Sequence, residues 1–224
     1  MTTLHVVKVF VGPEGRGGNP LGVFLDGAAV PADRRQAVAA DLGFSETVFV
    51  EPGTTRVRIY TPALELPFAG HPLVGTSWLL AQREKPAEVL VTPAGDVPTW
   101  VDEAGRHWIR GRADWAPAME LRQFANPAEI DALTEPPDPD GFVDAWAWQD
   151  EVRGEVRARV FAPSHGVPED EATGSAAVRL VTSLGRPITV RQGVGSVLYA
   201  RPGPAGTADV GGTTILVDER PYRP

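Results

Sequence analysis

The sequence predicts an α+β fold of two similar halves, each made of short strands around one buried helix. Three observations lead there. Residues 72–80 run Pro-Leu-Val-Gly-Thr-Ser-Trp-Leu-Leu, apolar on nearly every side, and a helix without a polar face is normally buried. Residues 175–184 form a second apolar stretch rich in small side chains, with Gly185 placed to stop it. The approach to each helix is also shared. Arg58-Ile59-Tyr60-Thr61-Pro62 matches Arg159-Val160-Phe161-Ala162-Pro163, and each leads through a short loop to a glycine-led pair, Gly70-His71 or Gly174-Ser175. Two such halves would set two helix starts face to face across a cleft, around one small anionic ligand.

Taken in order, residues 4–11 read as an opening strand, 13–20 as a glycine-rich turn and 21–25 as a second strand. Residues 31–42 read as an amphipathic helix that starts near Pro31 and ends at Gly43. Short strands follow at 46–50 and 57–60, where β-branched or aromatic residues dominate. Pro62 and Pro67 remove ladder donors, so the second of these strands cannot run on. The apolar helix then extends to about Gln82, with Pro72 suited to its first turn. Three strands, 89–92, 97–102 and 107–110, are separated by glycine or proline turns. Residues 111–141 hold five prolines and few β-branched residues, which reads as a linker with a short helix near 127–133. Strands resume at 142–149 and 155–161, and after the second apolar helix at 188–191, 197–201 and 213–218.

Composition narrows the function. A chain of 224 residues, 42% hydrophobic and 22% charged, has ample length for a core. Its net charge of -8 argues against nucleic acid or an anionic membrane as partner. No run of about 18 apolar residues and no basic-then-apolar start occurs, so a cytoplasmic location is expected. With no cysteine there is neither a disulfide nor a thiol nucleophile. The spacing of His5, His71, His107 and His165 suggests no metal triad, and no metal is expected.

Several residues could carry chemistry. Glu46 follows a turn and begins a strand between Phe44 and Val48. A lone Glu there is ordinarily a solvent-facing edge carboxylate, but burial would raise its pKa and suit it to acid-base work. His71 is either a helix-start residue bonded to backbone or part of a site shaped by Gly70 and Pro72. His165 reads as a loop residue, and His5 and His107 as structural strand residues. Glu169-Asp170-Glu171 precedes Ala172-Thr173-Gly174-Ser175; acids before a helix start favour its dipole, and Ser175 could be a plain N-cap. No nucleophile elbow surrounds Ser175, and the glycines at 15–18 lack a dinucleotide-binding order.

At these residues the sequence resembles the PhzF-like family, named for the phenazine-biosynthesis isomerase and related in fold to diaminopimelate epimerase. The matching pieces are Gly18-Asn19-Pro20-Leu21-Gly22-Val23, Phe44-Ser45-Glu46-Thr47, the run ELPFAGHPLVGT at 65–76 and GVPEDEATGSAA at 166–177. Gln192-Gly193 and Gly211-Gly212 fit the closing strands. The resemblance implies two lobes, 1–112 and a shortened 113–224, whose last strand could return to the first lobe. Each would be a mostly antiparallel, barrel-like sheet around a central helix, with the site in the cleft between them. It implies Glu46 as catalytic acid/base, with His71, Asp170 and Ser175 holding substrate and assisting proton movement. Asn19 would also contact substrate, and backbone N–H groups at Gly70-His71 and Gly174-Ser175 would clamp its carboxylate.

The activity implied is a cofactor-free isomerisation that moves a proton and a double bond in a small unsaturated amino carboxylate. A homodimer and a biosynthetic role are implied with it. An epimerase or racemase, or a non-catalytic binder of small acids, are the other readings. The two cysteines of the epimerase relatives are missing here. Two departures from the family stand out. The chain is shorter than usual around 111–161, and Glu171 stands where proline is common. A carboxylate there would disfavour an anion at the second helix start, or select a cationic group on the substrate.

Overall fold

A computed structural model describes residues 1–163 and 166–224. Ser164 and His165, the latter expected in a loop, lie outside the described residues. In chain order the elements are β1 (Thr2–Val11), β2 (Gly17–Phe24), α1 (Arg35–Leu42), β3 (Glu46–Val50), β4 (Val57–Tyr60), β5 (Glu65–Leu66) and α2 (Gly70–Gln82). Next come β6 (Val89–Thr92), β7 (Gly95–Val101), β8 (His107–Arg112), β9 (Glu120–Gln123), α3 (Pro127–Asp131), β10 (Val143–Asp150), β11 (Glu155–Ala162) and β12 (Val167–Asp170). The chain closes with α4 (Gly174–Leu184), β13 (Ile188–Gln192), β14 (Ser196–Pro202), β15 (Thr207–Gly212) and β16 (Thr214–Tyr222).

The first sheet runs β16-β1-β2-β3-β4-β5, antiparallel except between β2 and β3. The second runs β6-β7-β8-β15-β14-β13-β11-β10-β9, with β12 beside β11. Its parallel pairs are β9 with β10 and β11 with β13. A bridge between Arg56 and Val91 joins the two sheets past β4, so strands wrap α2 on several sides. α2 packs on β1, β2, β3, β7 and β8, while α4 packs on β14 and β15. This is the α+β architecture expected, mostly antiparallel sheets around two central helices. β16 lies on β1 and so completes the first sheet with the chain's last strand. The second sheet is continuous across residues 112 and 113, because β8 pairs with β15.

The burial of α2 follows from its sequence. Every residue from Gly70 to Ser77 is buried, and so are Leu79 and Leu80. α4 is more one-sided, with Thr182 and Ser183 exposed at its far end. Gly185 stops it in a left-handed conformation at φ 66, and Gly43 does the same for α1 at φ 67. Most of the apolar core surrounds α2 and α4, and a smaller cluster of Phe24, Phe49, Tyr60, Val38 and Ala39 sits under α1. No described helix is long and apolar enough to cross a membrane.

Four expectations need correction. β2 begins at Gly17, four residues before the expected start, so part of the glycine-rich turn is strand. Pro20 is tolerated because pairing to β3 begins only at Leu21, leaving one side of Pro20 without a ladder partner. The helix expected from Pro31 opens with a 3-10 turn, Ala32–Arg34, before α1. The expected linker 111–141 contributes β9 to the edge of the second sheet, and Asn126 caps α3 by accepting from the Glu129 N–H. The expected strand starts also pass over β5, β12 and β15.

Candidate active site

The cleft lies where β3 and the start of α2 meet β12 and the start of α4. Ser45 and Glu46 line one side, Asp170, Thr173 and Ser175 the other, with Leu66, Phe68 and Val167 among the apolar walls.

The two helix starts touch. A Cβ built on Gly70 would stand 2.7 Å from the backbone of Gly174, and one on Gly174 would stand 2.8 Å from Gly70 Cα and from the His71 nitrogen. Only glycine at both positions permits this approach. Neither helix start is capped by a side chain, since Ala69 and Thr173 hold the N-cap positions without such a bond. Their first-turn N–H groups and positive dipole ends therefore converge on one place, which suits an anion.

Glu46 is the first residue of β3 and pairs with Leu21 of β2. Its side chain is 13% exposed, and its Oε2 lies 3.4 Å from His71 Nδ1. Among the described residues neither that oxygen nor His71 Nε2 has a hydrogen-bond partner. Burial first, and the negative charge of Asp170 second, hold the Glu46 carboxyl well above the ordinary carboxylate range. Burial pushes the His71 imidazole down to about 3, against the opposing pull of the Pro20 carbonyl. The 3.4 Å approach is therefore no ion pair: it sets a neutral imidazole against a carboxyl that resists ionisation.

Asp170 ends β12 and is held by three donors. Its Oδ1 accepts from Asn19 Nδ2 at 2.6 Å and Ser45 Oγ at 3.2 Å, and its Oδ2 from Thr173 Oγ1 at 2.6 Å. Those bonds favour the carboxylate, but burial outweighs them, so its pKa is raised. Two buried carboxyls thus face one cleft, each harder to ionise than usual, an arrangement that can store and hand over a proton.

The structure brings the expected residues together with altered parts. Glu46, Asp170 and Ser175 line the cleft. His71 is 2% exposed and stands behind Glu46, outside the residues that line the cleft. Gly70 and Gly174 join the helix starts behind the lining. Asn19 is saturated internally: besides Asp170, its Nδ2 bonds the Ala172 carbonyl at 2.9 Å, and its Oδ1 accepts from Ser45 at 3.1 Å. These bonds hold Asn19 against Asp170, Ala172 and Ser45. Glu171 accepts from the Val194 N–H and the Ser196 hydroxyl, and its charge still reaches Asp170.

Ser45, Thr173 and Gln192, none of them among the expected site residues, also hold Asp170. Gln192 bonds the Asp170 carbonyl at 2.8 Å, and the Thr173 N–H at 3.1 Å through its Oε1. Their signal was adjacency to Glu46 and to Gly174, and the Gln192-Gly193 pair. Among the described residues no group of three His, Asp or Glu side chains could hold a metal ion.

A family model described as phenazine biosynthesis-like protein matches residues 7–134. The trans-2,3-dihydro-3-hydroxyanthranilate isomerase of Pseudomonas aeruginosa is 33% identical over 84% of this chain and 86% of its own. That alignment spans 244 residues, so the relative carries stretches that this chain lacks. A Bacillus anthracis phenazine biosynthesis protein of the PhzF family has a similar structure, with TM-score 0.77, 20% identity and 98% of both chains covered. A hydroxyproline epimerase from Agrobacterium vitis shares the fold at TM-score 0.62 and 13% identity, over 98% of this chain and 90% of that one.

Proposed function

Because the chain belongs to the phenazine biosynthesis-like family, we propose that it is a cofactor-independent biosynthetic isomerase. It would move a proton and a double bond within a small unsaturated amino carboxylate. The observation that carries this reading is the buried Glu46 carboxyl, with an oxygen free of hydrogen bonds, beside a cleft where two uncapped helix starts converge.

In this reading the substrate carboxylate sits at the first-turn N–H groups of α2 and α4. Glu46, ionised, takes a proton from an activated carbon, and the electron pair left behind delocalises through the double bond towards the bound carboxylate. The protonated Glu46 then returns the same proton to a different carbon, the double bond shifts, and the enzyme is restored. A carboxyl with a raised pKa is the stronger base, and it holds the proton until delivery. His71 stays neutral and orients Glu46. Asp170, fixed by Asn19, Ser45 and Thr173, faces the substrate from the other side.

That opposing position favours a second reading, an epimerase in which Glu46 and Asp170 act on opposite faces of one carbon. Proton NMR in D₂O separates the two, with the relative's substrate, trans-2,3-dihydro-3-hydroxyanthranilate, as first probe and small amino carboxylates after it. Double-bond migration supports the isomerase; deuterium at a stereocentre without migration supports the epimerase. Binding without either change would overturn both.

A further inference from the structure

Glu171 follows Asp170 directly in the chain, and its carboxylate is fully engaged. It accepts from the Val194 N–H at 3.0 and 3.1 Å and from the Ser196 hydroxyl at 2.7 Å. Ser196, completely buried, in turn accepts from the Gly18 N–H at 2.8 Å. Gly18 precedes Asn19, whose carboxamide bonds Asp170 Oδ1 and the Ala172 carbonyl on either side of Glu171. The hydrogen bonds close a ring: Glu171 to Ser196, to Gly18 and Asn19, and back to Asp170 beside Glu171.

We propose that Glu171 is a positioning residue, which locks Asp170 opposite Glu46 by closing this ring between the two sheets. Gly18 and Asn19 lie on β2 of the first sheet, whereas Asp170 and Ser196 belong to strands of the second. β2 also pairs with Glu46 through Leu21. One strand therefore carries both the register of Glu46 and the tether to Asp170. The chain is built to seat the ring. A Cβ on Gly193 would come within 2.1 Å of the Glu171 carboxylate, and one on Gly17 within 2.3 Å of the Ser196 nitrogen. Both glycines have positive φ, 56 and 66, so side chains there would be strained as well as crowded.

A bland alternative is that Glu171 only caps the turn between β13 and β14. Such a cap would stop at Val194 and would not involve Gly18. The ring also has an electrostatic consequence, because the Glu171 charge raises the pKa of Asp170. Among the described residues, the titratable groups around Asp170 are Glu171 beside it, Glu46 from β3 with neutral His71 of α2 behind it, and Asp144 on β10, one strand beyond Val160.

The kinetic meaning of the ring rests on the proposed isomerase, but its test does not. Two variants separate geometry from charge: Ser196→Ala breaks the ring and keeps the carboxylate, and Glu171→Gln keeps the shape and removes the charge. Carbon-13 NMR of the side-chain carboxyls follows the Asp170 titration in the free protein, and hydrogen exchange reports the Gly18 amide. Ser196→Ala should speed Gly18 exchange by about tenfold or more. Glu171→Gln should move the Asp170 midpoint to lower pH, since a neighbouring negative charge has been removed. With a turned-over substrate, both should lower kcat by about tenfold with KM little changed. An Asp170 midpoint unmoved in Glu171→Gln, or Gly18 exchange unmoved in Ser196→Ala, would overturn the proposal. Should both move while even the unaltered protein turns over no substrate, the ring stands and the isomerase reading fails.

Discussion

Asp144 offers the most quantitative check on the effect of burial, because burial is the single cause of its shift. It sits on β10 at 2% exposure, its Oδ1 has no hydrogen-bond partner among the described residues, and burial alone pushes its pKa from 3.8 up to about 7. In the unfolded chain the group ionises near its ordinary value, so between those limits the native state binds the extra proton. Stability from this group is therefore lost as pH rises towards 7. At about 1.4 kcal/mol per tenfold change, the loss reaches about 4 kcal/mol, of which about 3 kcal/mol accrues between pH 5 and 8. Replacing Asp144 with Asn removes the titration and leaves the shape. His71 acts in the opposite sense, since its lowered pKa costs stability as pH falls below about 6.5. The readout is thus the difference between the two proteins. Urea unfolding at pH 5, 6, 7 and 8 should show the Asp144→Asn advantage growing by about 3 kcal/mol across the series. Parallel stability curves would refute the assignment of a buried, uncompensated carboxyl.

Other outcomes follow from the site. Gly70→Ala places a methyl 2.7 Å from the Gly174 backbone; it should cost about 1–3 kcal/mol in urea unfolding and abolish turnover by separating the helix starts. A Gly70→Ala protein with unchanged stability and turnover would contradict that contact. Because burial pushes the His71 imidazole down to about 3, a limb of the pH–rate profile between pH 5 and 8 does not belong to that imidazole. His71→Gln should lower the rate yet leave that limb in place, and disappearance of the limb would reassign it to the imidazole.

Legibility in the sequence followed pairing and burial. β3, β4 and β6 were read at their observed bounds because alternating or β-branched residues fill them. β9, with the sequence Glu-Leu-Arg-Gln, was not, since it pairs only with β10 and needs no apolar face. β15 lies inside the second sheet, but it ends in Gly211-Gly212, which have no side chains to alternate. The echo of strand, loop, glycine pair and helix was legible because both copies must bury a helix, and it placed Gly70 against Gly174 across the cleft.

The parts played by individual side chains were less legible. Asn19 reaches Asp170 from 151 positions away, and no local pattern reports such a bond. Glu171 looked like a carboxylate at a helix start, but its partners, Val194 and Ser196, lie more than twenty positions later. His71 was legible as a site residue, while its place behind Glu46 depends on how α2 packs against β2 and β3.

If Glu46 carries the migrating proton, Glu46→Gln should stop the transfer and spare binding. Gln keeps the shape beside His71 but cannot accept a proton, and loss of a general acid/base typically costs roughly 10²–10⁴-fold. Proton NMR in D₂O, with a substrate the unaltered protein isomerises, should show Glu46→Gln binding ligand with turnover reduced at least about 100-fold. Near-normal turnover by Glu46→Gln would contradict the account.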